Sequence, residues 1–291
     1  MTTLPAPFTG FRPMRACDAP DNLAEILYPN AVQVKRDGIC CYVLSDNGGN
    51  IHVFSNTLKF IPNVYIRSRL TEIFKGKLRP CQMLCGELES TTGNFQATQS
   101  MVMRQSIAPV KFMYYIFDAL DFNYRHDIYS ARKDRVLLGM RDYTDQEEVS
   151  FLQDVEVQDA TALQVLLDIT IAHGFEGLMV RSLLGHYKFG DVTPREAYIL
   201  KLKPFVDDEA TIIGVNEAID IHGIRKDTLG SFTLRHATYG EFDCAGQLSD
   251  EMKRRYWQDP PIGEIACFKY QKVGTKDKPR APIFKGIRYD K

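Results

Sequence analysis

The sequence of 291 residues has little tryptophan, no paired cysteine motif and no long apolar run. It contains one Trp and seven Cys, and no two cysteines form a C-x-x-C pair. An odd count without paired spacing gives no zinc motif and no regular disulfide framework, so reduced thiols are expected. No stretch approaches the roughly 20 apolar residues of a membrane-spanning helix, and the first residues lack the pattern of a secretory leader. We therefore expect a cytoplasmic protein without a membrane partner.

An excess of charge of one sign is also lacking, because 36 Lys and Arg stand against 37 Asp and Glu. This near balance excludes a chain that coats nucleic acid with its whole surface. The charges are unevenly distributed, however. Residues 142–159 hold seven carboxylates and no Lys or Arg, whereas residues 252–291 hold eleven Lys or Arg and four carboxylates. The basic segment is suited to facing phosphates, although a solvated charged surface explains it equally well.

The pattern of apolar residues predicts two domains of different type. In the first two thirds of the chain, strand-like runs such as ICCYVLS (39–45) and YILKLK (198–203) alternate with helical patterns. The segment KPFVDDEA (203–210) follows a finished strand with a proline and an acidic run, which is typical of a domain boundary. Five strand-like runs and one helix follow, an arrangement that suits an OB-fold barrel. The predicted class is α+β, with domains at 1–204 and 205–291.

Polar residues predict where two of the helices begin. Asn94 is placed to cap a helix that runs through Met103, and Ser249 to cap a helix from Asp250 to Trp257. Both side chains carry an oxygen that can accept a free N–H of the first helical turn. The second of these helices belongs to the predicted barrel domain.

The most informative short motif is KRDG (35–38). It joins two strand-like runs, so Lys35 is predicted at a strand end beside a tight turn, where glycine allows a close approach of the backbone. An amine at such a site can attack the α-phosphate of a nucleotide and form a phosphoramidate, if it is kept partly unprotonated. The tetrapeptide is common, and on its own it indicates no more than a surface lysine.

Five further groups of residues follow this lysine in a fixed order. They are Glu87 in GEL; Phe117 and Asp118 in YYIFDAL; Glu176 and Gly177 in FEGLMVR; Lys201 and Lys203 in LKLK; and Arg288, Tyr289, Asp290 and Lys291 at the C-terminus. Together with phrases such as GNFQATQSMVM (93–103) and KLKPFVDDEATII (201–213), the series resembles the nucleotidyltransferase motifs of minimal two-domain ATP-dependent DNA ligases. The resemblance covers nearly the whole chain.

The resemblance implies a nucleotidyltransferase (adenylation) domain of antiparallel sheets and helices, followed by a small OB-fold barrel. Lys35 would attack ATP, expel pyrophosphate and carry AMP covalently, and Asp37 would help to position the 3′-hydroxyl of a nick. Glu87 would bind the ribose hydroxyls and Phe117 would stack on adenine. Glu176, together with Glu87, would hold Mg²⁺ or Mn²⁺.

The remaining motif residues imply contacts to phosphates. Lys201 and Lys203 would lie on one face of their strand, since side chains alternate with a period of two, and would bind the α-phosphate. Arg288 and Lys291 would lie on the OB domain and orient the leaving pyrophosphate. Each of these residues stands at the position of the corresponding motif residue of the family.

The sequence departs from the family pattern at three places. Two phosphate-binding arginines of the family are replaced by Cys40 and Asn56, which have neither the charge nor the planar fork of arginine. Arg36 or Lys59 would have to compensate. The segment 216–229 is also too short for the long DNA-encircling hairpin of viral relatives, so binding to nicked DNA is expected to weaken at high salt.

The resulting hypothesis is a monomeric ATP-dependent DNA ligase that seals nicked duplex DNA in a bacterial cytoplasm, or in the host cell of a virus or phage. An RNA or RNA/DNA-hybrid ligase is the alternative within the same class. A nick-binding protein that has lost sealing is the alternative in a different class. The retention of all the adenylation motifs argues against this last reading, because a binding module has no chemical use for them.

Overall fold

The computed structural model describes residues 4–138, 147–246, 248–271 and 277–288. The chain divides into two compact units, Met1–Leu202 and Lys203–Lys291. The first unit contains two five-stranded sheets, and the second contains a closed five-stranded barrel. No helix among the described residues is long and apolar enough to cross a membrane.

The first unit combines short strands with four α-helices in its described part. Its strands are β1 (Cys17–Asp18), β2 (Asn30–Val34), β3 (Ile39–Ser45), β4 (Ile51–Ser55), β5 (Gln82–Ser90), β6 (Phe112–Asp121), β7 (Val149–Phe151), β8 (Val155–Val157), β9 (Leu178–Ser182) and β10 (Ile199–Leu202). Its α-helices are α1 (Val64–Phe74), α2 (Phe95–Met103), α3 (Tyr129–Leu137) and α4 (Ala160–Ala172). Short 3-10 helices lie at Leu23–Glu25 and Phe122–Tyr124.

The two sheets have the strand orders β1-β10-β9-β2-β8 and β4-β3-β5-β6-β7. Neighbouring strands are antiparallel, except that β1 pairs in parallel with β10 and β6 in parallel with β7. The α+β class is therefore confirmed, and the antiparallel sheets that the resemblance implies are present, with one parallel pair at an edge of each sheet. Both exceptions are very short edge strands separated from their partners by long stretches of chain, which a parallel connection requires.

The central strands of the second sheet are buried on both faces. Along β3, Cys41 and Val43 face one core cluster, whereas Tyr42 and Leu44 face another. Helices α1, α2 and α3 contribute to the first cluster, and aromatic residues such as Phe11 contribute to the second. Burial on both faces explains why this strand is an uninterrupted apolar run in the sequence.

Both predicted helix starts are confirmed. The Asn94 side chain accepts hydrogen bonds from the backbone N–H groups of Gln96 and Ala97, and α2 begins at Phe95. In the second unit, α5 (Asp250–Gln258) begins after Ser249, which accepts a hydrogen bond from the backbone N–H of the third helical residue. Each cap satisfies a donor that the first turn of a helix leaves without a partner.

The second unit is a closed barrel with the strand order β11-β12-β13-β15-β14. Its strands are β11 (Val206–Ile219), β12 (Arg225–His236), β13 (Gly240–Gly246), β14 (Ile265–Tyr270) and β15 (Ile283–Ile287). The predicted OB-type barrel is confirmed, and α5 is the one helix among the described residues of this unit.

The acidic run after Pro204 belongs to a strand, which begins just after the division between the two units. Residues 206–211 pair with β14, which supplies their backbone hydrogen-bond partners. The alternation of the strand turns Ala210 into the barrel core and leaves Asp207 exposed. Tertiary pairing thus overrides the low strand propensity of aspartate.

The connection between β11 and β12 is a tight hairpin. Only residues 220–224 separate the two strands, and the backbone N–H of Asp220 donates to the carbonyl of Ile224. Ile221 at the tip is almost fully exposed. The expectation that segment 216–229 holds no long encircling insertion is therefore confirmed.

Candidate active site

The KRDG turn joins β2 of one sheet to β3 of the other and is packed closely against β5. A Cβ atom added to Gly38 would lie 2.3 Å from the carbonyl oxygen of Leu88. The backbone N–H of Gly38 also donates to the Glu87 carboxylate at 3.2 Å. Only glycine allows two backbones to approach this closely. The glycine of the motif is therefore explained by the contact between the turn and β5.

Lys35 directly follows β2, and its side chain forms an ion pair with Glu176. Its backbone N–H donates to the carbonyl of Gly177 at 2.8 Å, which holds the segment before β9 beside the turn. Its Nζ atom lies 2.5 Å from Oε2 of Glu176, and the Glu176 side chain is 6% exposed. Folding thus brings together two predicted site residues that are 141 positions apart in the sequence.

Glu87 lies on β5, where its carboxyl group is largely removed from water. Burial raises the pKa of Glu87 to about 7, although Lys35 and the Gly38 N–H favour the charged form. Desolvation is therefore the dominant influence on this group. A carboxyl group in this setting is stabilised in its charged form by further cations or hydrogen-bond donors.

A cavity of about 510 Å³ opens beside the turn. Four of the predicted site residues line it, namely Lys35, Glu87, Phe117 and Lys201. The Phe117 ring is half-buried on β6 and presents an aromatic surface to the cavity. Cavities of this size, with an apolar wall and a few polar groups, are typical of small-ligand sites.

A buried ionic network in the cavity wall is not predicted by the sequence patterns. Asp118 accepts hydrogen bonds from Arg132 at 3.0 and 2.9 Å and from Arg181 at 3.3 Å. Burial disfavours the charged carboxylate, but the two guanidinium groups more than offset this effect and lower the pKa of Asp118. The Gln33 side chain accepts a hydrogen bond from Arg181 and donates one to the carbonyl of Phe117. The network therefore fixes β2, β6 and β9 relative to one another.

The two motif lysines after β9 have different positions. Lys201 lies on β10, lines the cavity and forms an ion pair of 3.2 Å with Asp18 on β1. Lys203 belongs to the second unit, where its Nζ lies 3.4 Å from the side-chain oxygen of Gln271. The prediction that both lysines share a face of one strand is wrong, because β10 ends at Leu202.

The motif residues at the C-terminus belong to the second unit. Arg288 follows β15, and its guanidinium group forms a 2.8 Å ion pair with Glu209 on β11. Both side chains are partly exposed. Lys291, the other predicted pyrophosphate ligand, lies outside the described residues.

The two positions that lack the family's arginines lie in the wall of the same cavity. Cys40 and Asn56 both line it. Burial raises the pKa of the Cys40 thiol far above its usual range, so this side chain is neutral and brings no charge. Asp37, the third residue of the turn, donates its backbone N–H to Glu89 at 3.1 Å.

The carboxylates near Lys35 suit a metal ion whose coordination is completed by a ligand. Glu87 and Glu176 both supply oxygen atoms close to the turn. Within the described ranges, no group of three or more His, Cys, Asp or Glu side chains is arranged to hold a metal ion. Mg²⁺ usually takes one or two protein carboxylates and fills its remaining positions with water and phosphate oxygens. The donor set fits this mode of binding.

Two family models match the chain. The model described as "ATP dependent DNA ligase domain" matches residues 13–203, and the model described as "DNA ligase OB-like domain" matches residues 222–288. A DNA ligase of African swine fever virus (isolate Tick/South Africa/Pretoriuskop Pr4/1996) is 23% identical over 199 residues, which cover 62% of this chain and 43% of the viral protein. The chain thus spans less than half the length of the curated relatives that it matches.

Two solved structures of DNA ligases match this chain along nearly their whole length. The Chlorella virus DNA ligase-adenylate has 29% sequence identity and a TM-score of 0.58, and the match covers 97% of this chain and 99% of the viral one. A structure from a study of Lig E DNA ligases, described as binding DNA with a minimal scaffold, has 21% identity and a TM-score of 0.69. That match covers 95% of this chain and 99% of the other. At this level of identity, it shows similarity of the fold alone.

Proposed function

We propose, because the chain belongs to the ATP-dependent DNA ligase family, that it seals 5′-phosphate/3′-hydroxyl nicks in duplex DNA with ATP as co-substrate. The observation that supports this most directly is the position of Lys35. Its amine lies at a cavity that suits a small ligand and is held 2.5 Å from a nearly buried carboxylate. A lysine that serves only as a surface charge has no need of this environment.

In the first step, the Lys35 amine attacks the α-phosphorus of ATP. An N–P bond forms and the P–O bond to pyrophosphate breaks, so AMP stays on the lysine as a phosphoramidate. The amine must lose a proton to attack, and Glu176 is a carboxylate within hydrogen-bonding distance that can take it. Phe117 stacks on the adenine, and Lys201 supplies positive charge to the α-phosphate.

The carboxylates of the site bind the sugar and the metal ion. Glu87 accepts hydrogen bonds from the ribose hydroxyls and, with Glu176, would hold Mg²⁺ or Mn²⁺. When bound, the ion would neutralise phosphate charge during transfer of the adenylyl group. Asp37, at the same turn as Lys35, helps to position the 3′-hydroxyl of the nick.

The second domain acts on the phosphates and on DNA. We assign adenylation to residues 1–204 and the OB domain to residues 205–291, and we expect one chain to act as a monomer. By this division Lys203 lies at the end of the adenylation domain and contacts the α-phosphate, whereas Arg288 and Lys291 of the OB domain orient the leaving pyrophosphate. An oxygen of the 5′-phosphate of the nick then attacks the phosphorus of the lysyl-AMP, so the N–P bond breaks and AMP is joined to the DNA through a P–O–P linkage. Finally the 3′-hydroxyl attacks the 5′-phosphorus, a phosphodiester bond forms, and AMP leaves.

A second candidate is a nick-binding protein that forms the lysyl-adenylate but seals poorly. The replacements at Cys40 and Asn56 favour it, since both side chains line the cavity without the charge of arginine. A hydrogen bond to a charged group contributes roughly 1.5–3 kcal/mol, so two lost contacts would slow the steps on DNA severely. An RNA or RNA/DNA-hybrid ligase would instead be distinguished by the sugar of the nicked strands.

A single-turnover assay on a 5′-phosphorylated nicked duplex separates these candidates. Enzyme-AMP, adenylated DNA and sealed DNA are followed in the wild type, in Lys35→Ala and in Lys75→Ala, which removes an exposed lysine at the end of α1. The ligase proposal expects all three products in the wild type and the Lys75 variant, and none in Lys35→Ala. Enzyme-AMP without adenylated or sealed DNA would instead support the nick-binding candidate.

A further inference from the structure

One side chain on β5 binds two neighbouring residues of the KRDG turn. The Glu89 carboxylate accepts hydrogen bonds from the Nε and Nη2 atoms of Arg36, the first at 2.8 Å. The same carboxylate accepts the backbone N–H of Asp37 at 3.1 Å. Both charged side chains are less than one fifth exposed, so water screens the pair only weakly. Glu89 therefore connects β5 to the turn through a side chain and through the backbone.

An aromatic ring on β6 also stacks on the Arg36 side chain. The centre of the Arg36 guanidinium group lies 3.8 Å from the centroid of the Tyr115 ring. Tyr115 pairs with Glu87 between β6 and β5, so the ring stands beside the strand that carries both glutamates. A guanidinium group that stacks on a ring and forms a two-point contact with a carboxylate is strongly fixed in orientation. We call Arg36, Glu89 and Tyr115 the turn clamp.

The turn clamp lies beside Lys35, whose amine needs a fixed position for the proposed reaction. Lys35 directly precedes Arg36, and its amine must keep a defined position relative to Glu176. Gly38, at the other end of the turn, has no side chain that could anchor it. Fixing Arg36 and the Asp37 backbone removes the main freedom of the turn, and misplacing a reacting group by about 1 Å can slow a reaction by about a hundredfold.

We propose that Glu89 is a positioning residue that fixes the turn through Arg36 and the Asp37 N–H, and thereby places the Lys35 amine for attack on ATP. This inference rests on the proposed function and adds residues to its site. It also assigns Arg36 to the turn clamp and not to the phosphate of the nick. The charge missing at Cys40 and Asn56 is therefore not restored by Arg36.

Three variants and one control test the positioning role. Glu89→Gln keeps an oxygen that can accept the Asp37 N–H but removes the charge that binds Arg36, and Arg36→Met removes the other side of the pair. The double variant combines them. The control is Glu148→Gln, which removes a two-point arginine–carboxylate pair of similar exposure with Arg69, away from the turn.

The kinetic readout is the single-turnover rate of enzyme-AMP formation at several ATP concentrations. Each single variant is expected to lower the maximal rate by about 10- to 100-fold, while the half-saturating ATP concentration changes by less than about threefold. The double variant should be no slower than the slower single variant, because both substitutions remove the same Arg36–Glu89 interaction. The control should match the wild type. Equal rates in Glu89→Gln and Glu148→Gln would overturn the proposal.

Binding to nicked duplex DNA distinguishes the turn clamp from a phosphate contact. If Arg36 binds the nick, Arg36→Met will weaken DNA binding and reduce its salt dependence by about one phosphate contact, without slowing enzyme-AMP formation. The turn clamp predicts the opposite pattern, with slow adenylation and unchanged DNA affinity. The first pattern would contradict our assignment.

Hydrogen exchange tests the turn clamp without relying on activity. The backbone amides of Asp37 and Gly38 donate to Glu89 and Glu87, so they should exchange slowly in the wild type. In Glu89→Ala both should exchange at least about tenfold faster, and in Glu148→Gln they should not change. If the wild type forms no enzyme-AMP, the proposed function fails, and this measurement still decides whether Glu89 fixes the turn. Unchanged exchange in Glu89→Ala would overturn it.

Discussion

Asp118 is a fully buried carboxylate held by two buried arginines. Its partners Arg132 and Arg181 come from α3 and β9, so the group joins separate parts of the first domain. Arg132 has a further partner in the carbonyl of Gly185 at 2.7 Å. Removing one charge from such a group leaves the other charges buried and uncompensated. The resulting loss of folding free energy is larger than the net stabilisation that the intact group provides.

We expect Asp118→Asn to lower the free energy of unfolding by about 3–5 kcal/mol at neutral pH. Urea unfolding followed by circular dichroism measures this. The control is Asp191→Asn, which breaks an exposed pair with Arg15 and should cost less than about 1 kcal/mol. A similar loss of stability in both variants would show that burial is not the cause.

The stability difference between wild type and Asp118→Asn should depend on pH. Burial opposes the charge of Asp118, but the two arginines lower its pKa below the value of an unfolded aspartate, about 3.9. The carboxylate therefore stabilises the folded state fully above that value and loses this effect as the pH falls through the lowered pKa. The difference should be constant from pH 7 to about 5 and narrow below about 4. A difference that widens with acid would contradict this origin.

At the residue scale, the sequence indicates which side chains matter better than it indicates what they touch. Lys35 and Glu176 stand in separate motifs, and their 2.5 Å contact depends on how β2 and β9 pair. Asp118 and Arg181 lie in the motifs YYIFDAL and FEGLMVR, yet nothing in their spacing reveals a shared buried network. Glu89 was not predicted, because a glutamate after GEL carries no signal apart from its position against the turn.

At the scale of single elements, local chemistry predicts helix starts well. Asn94 and Ser249 cap helices as expected, because an N-cap depends on neighbours two or three residues away. The strand at 206–210 was missed, since aspartates disfavour strands and only the distant β14 makes one there. The edge strands β1 and β7 were missed because they are only two and three residues long and depend on partner strands elsewhere in the chain.

Removing the cap of α5 should weaken the barrel domain selectively. We expect Ser249→Ala to lower its free energy of unfolding by about 1 kcal/mol, because one N–H of the first helical turn loses its acceptor. The single tryptophan, Trp257, lies in this helix, so its fluorescence reports the unfolding of this domain. Asn94→Ala removes a cap in the other domain and should leave the tryptophan transition in place. A shift of that transition in the Asn94 variant would contradict the assignment of the tryptophan signal to the barrel domain.

At the scale of the whole molecule, the two-domain organisation follows from the sequence because each domain has its own pattern. Each domain also has apolar clusters of its own, which is why composition and periodicity alone separate them. The short β11–β12 hairpin leaves this chain without a long insertion at that place. We therefore propose that nick binding depends on basic surface residues and not on an encircling loop.

Binding to a nicked duplex should then be strongly salt-dependent. Each phosphate contact releases counterions, so a protein with several contacts loses affinity by orders of magnitude between about 50 and 200 mM salt. We expect the dissociation constant to rise at least about tenfold over this range. Fluorescence anisotropy with a labelled nick measures it, and an intact duplex is the control. Salt-independent affinity would contradict this view of binding.

The most direct test of the central claim is to locate AMP on the protein itself. The purified chain is incubated with ATP and Mg²⁺, its intact mass is measured, and the modified peptide is identified by fragmentation. We expect one AMP per chain on the peptide that contains Lys35, lost in Lys35→Ala and unaffected in Lys75→Ala. Absence of the adduct in the wild type, or its presence on another residue, would show that Lys35 is not the nucleophile.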